Sequence, residues 1–282
     1  MTPFVYFNGD VVAADQVRIT AADRGLLVGE GAFETLRSYD GRVFRLRAHL
    51  SRLFSALTWL DLEVPESPNR LAEVVGEVLR RNALADARIR ITITAGPGAG
   101  AAWVEVGARQ PTRLVEVGPL DAPSVDAYRQ GVPAMTYTLA HGVGLVSGRK
   151  ATSYVGYVMA RRAATRAGAA EAILVGPGQE VVEGAMSSVF VVRDGGIYTP
   201  PLSDGPLAGI TRQVVLEQLV ELGLEGGELH LHVSDLQTAD EVFLTSSVSE
   251  VLPVVSLDGR LVGDGHPGPV TQRLVAAYRA LV

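Results

Sequence analysis

Lys150 stands out because it is the only lysine among 282 residues; the other 24 of the 25 lysine and arginine residues are arginines. Arginine can supply the same surface charges and salt bridges, but its guanidinium does not lose its proton in proteins. Lysine can, and its neutral amine is a nucleophile that forms Schiff bases with carbonyl compounds. The retained lysine therefore indicates a site that needs an amine. The alternative is a solvated surface residue in an arginine-rich chain.

Two other regions carry residue types that bind anions. Arg52 lies off the apolar stripe of a helix predicted over Ala48–Leu60, so it is either a solvated helix charge or a group that reaches an anion across a cleft. The run Leu207–Arg212 opens a second helix, and Gly209 precedes Thr211 there. Free N–H groups converge at such a helix start and favour negative charge, although Thr211 could equally be an ordinary N-cap.

Arg88 and Arg90 belong to a segment, Arg88–Thr94, in which apolar and polar residues alternate. The alternation predicts a strand with one polar face, and both arginines then point to that face. Like charges side by side repel each other, which a protein tolerates on a wet surface or around an anionic ligand. Both alternatives, a wet edge strand and an anion site, are open from the sequence.

Composition excludes several classes of function. The net charge of −6 is opposite to the basic face that nucleic-acid binding needs, and the absence of cysteine excludes disulfides, thiolate metal sites and a cysteine nucleophile. No apolar run approaches 18 residues and no signal-peptide pattern follows Met1, so we expect a soluble cytoplasmic protein with no membrane partner. The pair His230 and His232 lacks a third ligand, and we expect no metal site.

The elements that must position these residues alternate between strands and helices, which predicts an α/β (α+β) fold. Strands are predicted at Thr112–Val117, Val132–Leu139 and Glu171–Val175, and a helix from just after Lys150 to about Arg166. An Asp40-Gly41 turn is predicted to lead into a strand over Arg42–Leu46. Prolines within residues 118–125 indicate a linker between residues 1–117, the small N-terminal domain, and residues 126–282, the larger domain.

A set of short motifs gives the chain its resemblance to a known family. They run in order as Asp23-Arg24-Gly25, Phe33-Glu34-Thr35, His49-Leu50-Ser51-Arg52-Leu53, Lys150, Glu183-Gly184, Thr199-Pro200-Pro201, Gly209-Ile210-Thr211-Arg212, Thr245-Ser246-Ser247 and Gly268-Pro269-Val270-Thr271. Each is modest alone, but their order and spacing resemble the class IV pyridoxal-phosphate aminotransferases. That family includes branched-chain aminotransferase, D-amino-acid aminotransferase and aminodeoxychorismate lyase, and the resemblance covers almost the whole chain.

The resemblance implies a role for individual positions. Lys150 would hold the aldehyde of pyridoxal 5'-phosphate and act as the base of the reaction, and Glu183 would pair with the pyridine nitrogen. The phosphate would be bound by Arg52, by the helix start Gly209, Ile210 and Thr211, and by Ser247. Tyr154 would lie at the phenolic oxygen and Leu207 on the ring. The family fold, fold type IV, implies two domains with the cofactor in the cleft between them, and a homodimer.

The substrate is less clearly indicated than the cofactor. Phe33-Glu34-Thr35 and the segment length after Lys150 are similar to the D-amino-acid group, whereas Tyr154 and Gly268-Pro269-Val270-Thr271 are similar to the branched-chain group. The arginine that binds carboxylate in the D-amino-acid type is here Ala95. We therefore expect substrate binding by Phe33, Arg88, Arg90 and Val248, with Arg88 and Arg90 as a carboxylate clamp.

D-amino-acid transamination with an acceptor such as 2-oxoglutarate or pyruvate is the first expectation. Branched-chain L-amino-acid or (R)-amine transamination is the second, and aminodeoxychorismate lyase activity the third. Two interpretations outside transamination stay open from the sequence: a pyridoxal-phosphate protein with a different reaction, and a binding protein in which Lys150 is a surface residue. Keto-acid-dependent turnover and the visible absorbance of a bound cofactor distinguish them.

Overall fold

The structure, a computed structural model, describes residues 2–98, 110–139 and 148–282, which form two compact units. Unit 1 comprises Met1–Asp121 and Arg149–Tyr154, and unit 2 comprises Ala122–Gly148 and Val155–Val282. Lys150 thus belongs to unit 1, whereas the division predicted at residues 118–125 places it in the larger C-terminal domain. Helices and strands occur in both units, so the predicted α/β class is confirmed.

Unit 1 is built on an antiparallel sheet of six strands among the described residues, in the order β2-β1-β6-β5-β3-β4. The strands are β1 Phe4–Phe7, β2 Asp10–Ala13, β3 Gly31–Tyr39, β4 Arg42–Val43, β5 Ala87–Thr94 and β6 Thr112–Pro119. The helices are α1 Arg24–Val28, α2 Leu46–Trp59 and α3 Pro68–Arg81.

Helices α2 and α3 supply the apolar side chains that complete the core of unit 1. In α2, Leu50, Leu53 and Leu57 recur at helical spacing and are buried, which confirms the predicted stripe. Helix α3 begins with a capped first turn, because the Ser67 hydroxyl accepts a hydrogen bond from the Arg70 N–H. The two helices and the sheet share one hydrophobic cluster, which fixes α2 beside β3.

Two sequence predictions in unit 1 differ from the structure. The strand predicted over Arg42–Leu46 is only the two-residue β4, because Arg45 adopts a left-handed conformation (φ 51°) and α2 starts at Leu46. The wet edge strand considered for Arg88 and Arg90 is wrong as well. Strand β5 lies between β3 and β6, so both of its edges are hydrogen-bonded.

Unit 2 is built on a mixed sheet of nine strands among its described residues. Its path is β12-β11-β10-β13-β14-β7-β8-β9, with β15 paired to β14, and β7 runs parallel to β14 and β8. The strands are β7 Val132–Thr138, β8 Glu171–Val175, β9 Val181–Gly184, β10 Ser188–Arg193, β11 Gly196–Thr199, β12 Gly226–Glu228, β13 Glu241–Ser246, β14 Glu250–Leu257 and β15 Arg260–Leu261. The helices are α4 Val125–Gln130, α5 Val155–Arg166, α6 Ile210–Glu221, α7 Val233–Gln237 and α8 Pro269–Arg279.

The Gly268–Thr271 motif of unit 2 forms a helix start held by a buried carboxylate. Both oxygens of Glu241 accept hydrogen bonds from backbone N–H groups, at 2.9 Å from Val270 and 2.7 Å from Thr271. A Cβ at Gly268 would come within 2.1 Å of the Glu241 side chain, so glycine is needed there. The motif is thus explained by the anchoring of α8 to β13.

Across the described ranges, the structure contains no helix that is long and apolar enough to cross a membrane.

Candidate active site

Phe33 and Glu34 are adjacent in β3 and therefore point to opposite faces of the unit 1 sheet. Phe33 pairs with Thr92 of β5, and Thr35 pairs with Arg90, so Phe33, Arg90 and Thr92 share one face. Glu34 points to the other face, where α2 packs. Each face carries one of the arginines that the sequence marks as an anion ligand.

The ring of Phe33 is the common neighbour of three predicted site residues. The Nζ atom of Lys150 lies 4.8 Å from the ring centroid, and the Cζ atom of Arg90 lies 4.0 Å from it. The ring of Tyr154 meets Phe33 edge-on, with centroids 5.2 Å apart and planes at 90°. Lys150 is half-buried rather than fully solvated. The structure therefore brings the amine, a guanidinium and a phenol to one buried aromatic ring.

The segment that carries Lys150 is bonded to the start of β3. Phe33 donates its N–H to the Lys150 carbonyl at 2.9 Å, and Thr152 donates its N–H to the Gly31 carbonyl at 2.9 Å. The hydroxyls of Thr152 and Ser153 both donate to the Gly29 carbonyl, at 2.7 and 2.9 Å. Gly29 has φ 69°, and a Cβ there would lie 2.7 Å from the Ser153 hydroxyl. The two glycines before Phe33 thus allow the lysine segment to approach closely.

Arg90 is half-buried and has neutral groups among its neighbours. Its Nε donates to the Thr92 hydroxyl at 3.1 Å, and its guanidinium lies on the Phe33 ring. Burial lowers the pKa of Arg90 from its ordinary value, and the charge of Glu116 opposes that shift. Arg88 shares the face but is exposed. The two arginines predicted as a clamp therefore differ in burial.

Arg52 lies on the opposite face and forms a bidentate pair with Glu34. Its Nε donates to Glu34 Oε1 at 2.7 Å and its Nη2 to Oε2 at 2.8 Å, while His49 Nδ1 lies 2.8 Å from Oε2. Burial raises the pKa of Glu34, but the charge and hydrogen bonds of Arg52, with His49, outweigh burial and lower that pKa to about 2. Burial lowers the pKa of His49, and an ionised Glu34 requires that Nδ1 carry the proton.

Glu183 is the centre of the predicted site residues in unit 2. It lies on β9, is buried, and has a hydrogen-bond donor on each carboxylate oxygen. The Tyr157 hydroxyl of α5 donates to Oε1 at 3.0 Å, and the Leu207 N–H donates to Oε2 at 3.0 Å. The orientation of the carboxylate is thus fixed from two elements.

The start of α6 lies against β10, as the close approach at Gly209 shows. Gly209 is the N-cap residue and makes no side-chain capping bond, so the alternative of an ordinary N-cap by Thr211 is wrong. Thr211 lies inside the helix and is buried, as is Ile210. A Cβ at Gly209 would come within 2.6 Å of the Ser188 hydroxyl. Ser188 pairs with Thr245 near the end of β13, and the turn after β13 carries Ser247 and Val248.

Two residues that bond to predicted site residues, one in each unit, receive no role from the sequence. Glu34 is part of a motif, but its partner Arg52 is 18 residues away on a helix whose packing the sequence does not reveal. Tyr157 follows Tyr154 closely in the chain, and its bond to Glu183 joins residues 26 apart. A periodicity argument could have placed Tyr157 on α5, but not its partner.

A metal-binding cluster is absent from residues 2–98, 110–139 and 148–282, as far as histidine, cysteine, aspartate and glutamate are concerned. Instead, His230 pairs with Asp204 through Nδ1 at 2.8 Å, and His232 precedes α7, where its N–H donates to Asp235 at 2.7 Å.

Comparison with known proteins gives matches that cover the chain. A sequence model of the family described as Amino-transferase class IV matches residues 31–257. A Methanocaldococcus jannaschii protein assigned as a branched-chain-amino-acid aminotransferase is 35% identical over 98% of this chain and 95% of its own length. The D-alanine aminotransferase of Staphylococcus haemolyticus is 31% identical, over 99% and 97%. The solved PLP-bound structure of a hypothetical aminotransferase from Mycobacterium tuberculosis has a TM-score of 0.86 and 28% identity, over 99% and 98%.

Proposed function

Because the chain belongs to the class IV aminotransferase family, with its fold and its cofactor pyridoxal 5'-phosphate, we propose that it transfers amino groups between an α-amino acid and a 2-oxo acid whose carboxylate Arg90 binds. One observation carries the proposal. The Lys150 amine and the Arg90 guanidinium both lie against the ring of Phe33. A carboxylate on Arg90 would present the neighbouring carbon of a substrate to the amine.

The residues present fit the cofactor by the chemistry of their groups. Lys150 supplies the one amine side chain of the sequence, and Glu183 supplies a buried carboxylate for a protonated ring nitrogen. The start of α6 supplies backbone N–H groups and the positive end of a helix dipole for a phosphate. Bound pyridoxal phosphate supplies an aldehyde that condenses with amines and a ring that accepts electrons.

Lys150 has two tasks in this proposal, and both need a neutral amine. Its Nζ would hold the aldehyde of the cofactor, and a neutral Nζ displaced by the substrate amine would be the base for the proton on the substrate α-carbon. The Phe33 ring lies on one side of this amine, with its centroid 4.8 Å from Nζ. The Tyr154 hydroxyl is proposed to donate to the phenolic oxygen of the cofactor.

The phosphate ligands are proposed among the residues that the sequence marks as anion ligands. Gly209, Ile210 and Thr211 begin α6, and Ser247 lies in the turn after β13. Arg52 is the proposed cationic ligand, and its pairing with Glu34 uses two of its three nitrogens and fixes the plane of the guanidinium. Leu207 is proposed to pack on the cofactor ring, and Val248 to contact the substrate.

D-amino acids remain the first proposed donors, supported by the D-alanine aminotransferase relative. Branched-chain L-amino acids are the second candidate, and Ala95 is the specific observation that favours them. Ala95 is fully buried in the core of unit 1, so the position where the D-amino-acid type places its arginine cannot bind a carboxylate. Arg90 must then do so, as resemblance to the branched-chain enzymes implies.

A half-reaction screen tests the proposed function and separates the donors. Cofactor-loaded protein is mixed with D-alanine, L-alanine, D-glutamate, L-leucine or (R)-phenylethylamine, and the visible band of the bound cofactor is followed. We expect the band to decay with an amino acid and to return when a 2-oxo acid is added. Decay with D-alanine identifies the first class of donor and decay with L-leucine the second. A band that no amine changes would contradict transamination.

We also propose that the enzyme works as a homodimer. The short helix α1 exposes Leu26 to 70% and Leu27 to 63%, and Ile19 nearby is also exposed. Exposed large apolar residues that are adjacent support an interface between two copies of the chain. Sedimentation velocity would give the mass in solution, and a monomer at micromolar concentration would contradict this proposal.

A further inference from the structure

The hydroxyl of Tyr157 donates a hydrogen bond to the buried carboxylate of Glu183. Burial alone would favour the protonated, uncharged form of that carboxylate. Glu183 is 5% exposed and lies within a four-residue strand whose members are all buried. Burial of a carboxylate disfavours its charged form, whereas hydrogen bonds donated to the carboxylate favour it. The Tyr157 bond at 3.0 Å and the Leu207 N–H bond at 3.0 Å both act in that favourable direction.

The two donors also restrict the rotation of the carboxylate. Each oxygen of Glu183 is tied to a different element, Oε1 to α5 and Oε2 to the segment before α6. The next residue must be glycine, because a Cβ on Gly184 would lie 2.1 Å from the Ser187 hydroxyl. Of the two donors, only that of Tyr157 comes from a side chain, so it is the one that a substitution can remove.

We propose that Tyr157 is a positioning residue that keeps the Glu183 carboxylate ionised and fixed in plane for the ring nitrogen of bound pyridoxal phosphate. Through Glu183, Tyr157 sets how firmly that nitrogen holds its proton. The inference rests on the proposed function, because it uses the assignment of Glu183 to the ring nitrogen. Tyr157 itself need not touch the cofactor.

A merely structural role for Tyr157 makes a different prediction. If its hydroxyl only joined α5 to β9, loss of the hydroxyl would destabilise the protein and weaken the binding of every ligand alike. If it acts through Glu183, its loss must matter only for a ligand that carries the ring nitrogen. A deaza analogue of pyridoxal phosphate, in which a carbon replaces that nitrogen, separates the two roles.

The experiment measures how tightly the cofactor-free protein binds pyridoxal phosphate and its deaza analogue, by quenching of tryptophan fluorescence. The variants are Tyr157→Phe, Glu183→Gln and the double variant. Tyr198→Phe is the matched control, since it removes the hydroxyl of another half-buried tyrosine of unit 2, on β11. Thermal unfolding of each cofactor-free protein is recorded in parallel.

We expect wild type and Tyr198→Phe to prefer pyridoxal phosphate over the analogue. Tyr157→Phe should lower the affinity for pyridoxal phosphate by about ten-fold, the size expected for loss of a hydrogen bond to a charged group. Its affinity for the analogue should change by less than about two-fold. Glu183→Gln should remove the preference, and adding Tyr157→Phe to it should have no further effect on the ratio of the two affinities.

Two outcomes would overturn the inference. An affinity ratio in Tyr157→Phe that is unchanged from wild type, including equal weakening of both ligands, leaves only a structural role. A wild-type protein that binds both compounds equally contradicts the assignment of Glu183 itself, so failure of the proposed function is recognised in the wild type and failure of the inference in the variant.

Discussion

The two faces of strand β3 hold their cations in opposite ways. On one face, Arg52 is bonded through two nitrogens to Glu34, which is fully buried. On the other face, Arg90 and Lys150 lie against the uncharged ring of Phe33, and Arg90 bonds to a hydroxyl. Since Phe33 and Glu34 are consecutive residues, the difference between the two faces comes from two neighbouring positions of the strand.

The contrast lies in the countercharge: Arg52, which we also propose as a phosphate ligand, has Glu34 beside it, whereas Arg90 lies against an uncharged ring and a hydroxyl. A guanidinium bonded to a buried carboxylate has a countercharge inside the protein, and its removal is felt as lost stability. Arg90, which lies against an aromatic ring and a hydroxyl, gains a modest attraction there and keeps a positive charge, which our proposal uses to bind a carboxylate. We therefore expect substitutions on the Glu34 face to change stability first, and those on the Phe33 face to change activity first.

The largest effect is expected at Lys150 on the Phe33 face. Lys150→Arg keeps a cation against the ring but removes the amine that can lose its proton, so turnover should fall by more than about a thousand-fold. Lys150→Ala should have the same effect, and both variants should lose the visible band of the covalently held cofactor while remaining folded. Transamination retained by either variant would show that charge rather than the amine matters here.

Glu34→Gln is expected to be the most destabilising change on the opposite face. It keeps the size of the side chain but removes the buried charge that pairs with the half-buried Arg52, which costs about 3 kcal/mol in free energy of unfolding, the lower end of the range for a buried pair. Urea unfolding monitored by circular dichroism measures this loss. Glu73→Gln is a matched control, because Glu73 pairs with Arg70 on an exposed helix surface and its loss should cost less than about 1 kcal/mol.

Lowering the pH should weaken the pairing of Glu34 with Arg52 within a defined pH range. The pKa of Glu34 is about 2 in the folded protein against 4.5 for a free side chain, so its stabilising contribution is complete above pH 4.5 and lost as the pH falls towards 2. The contribution is roughly 3 kcal/mol. Wild type should lose more stability than Glu34→Gln between pH 5 and pH 3; parallel losses would show that Glu34 is not the group that titrates.

A smaller effect is expected at Arg90, and it should fall on substrate binding. Arg90→Met preserves the unbranched stem but removes the charge, which should raise the KM for the carboxylate substrate by about 10- to 100-fold and change stability by less than about 1 kcal/mol. Arg88→Met provides the comparison within the same strand. Because Arg88 is exposed, we expect a smaller rise; an equal rise would support the two-arginine clamp.

Local patterns in the sequence predict most of the secondary structure. The spacing of the leucines in α2 predicts both ends of that helix to within two residues. The alternation in Arg88–Thr94 predicts the ends of β5 to within one residue. Glu171–Val175 is the strand predicted, and Asp40-Gly41 is the turn predicted between β3 and β4. Each of these depends on residues a few positions apart.

What the sequence does not reveal depends on partners far along the chain. The position of β5 inside the sheet follows from pairing with β6, which begins after residue 110, so the local pattern alone leaves an edge strand possible. The left-handed Arg45 ends β4 early, although nothing in residues 42–46 marks it. The roles of Glu34 and Tyr157 are not evident from the sequence, because each depends on a hydrogen bond between a buried carboxylate and a donor on a helix. Arg52 of α2 is a donor to Glu34, and Tyr157 of α5 is a donor to Glu183.

The attachment of the lysine segment to Gly29 has a consequence for shortened forms of this enzyme. The family-matched region begins at residue 31, but the hydroxyls of Thr152 and Ser153 reach back to a carbonyl two residues earlier. A gene trimmed to the matched region would keep the two backbone hydrogen bonds of the lysine segment, from Phe33 to Lys150 and from Thr152 to Gly31, but lose both hydroxyl bonds to Gly29. Design of chimaeras within this family should therefore place the upstream crossover before Gly29 rather than at the edge of the matched block.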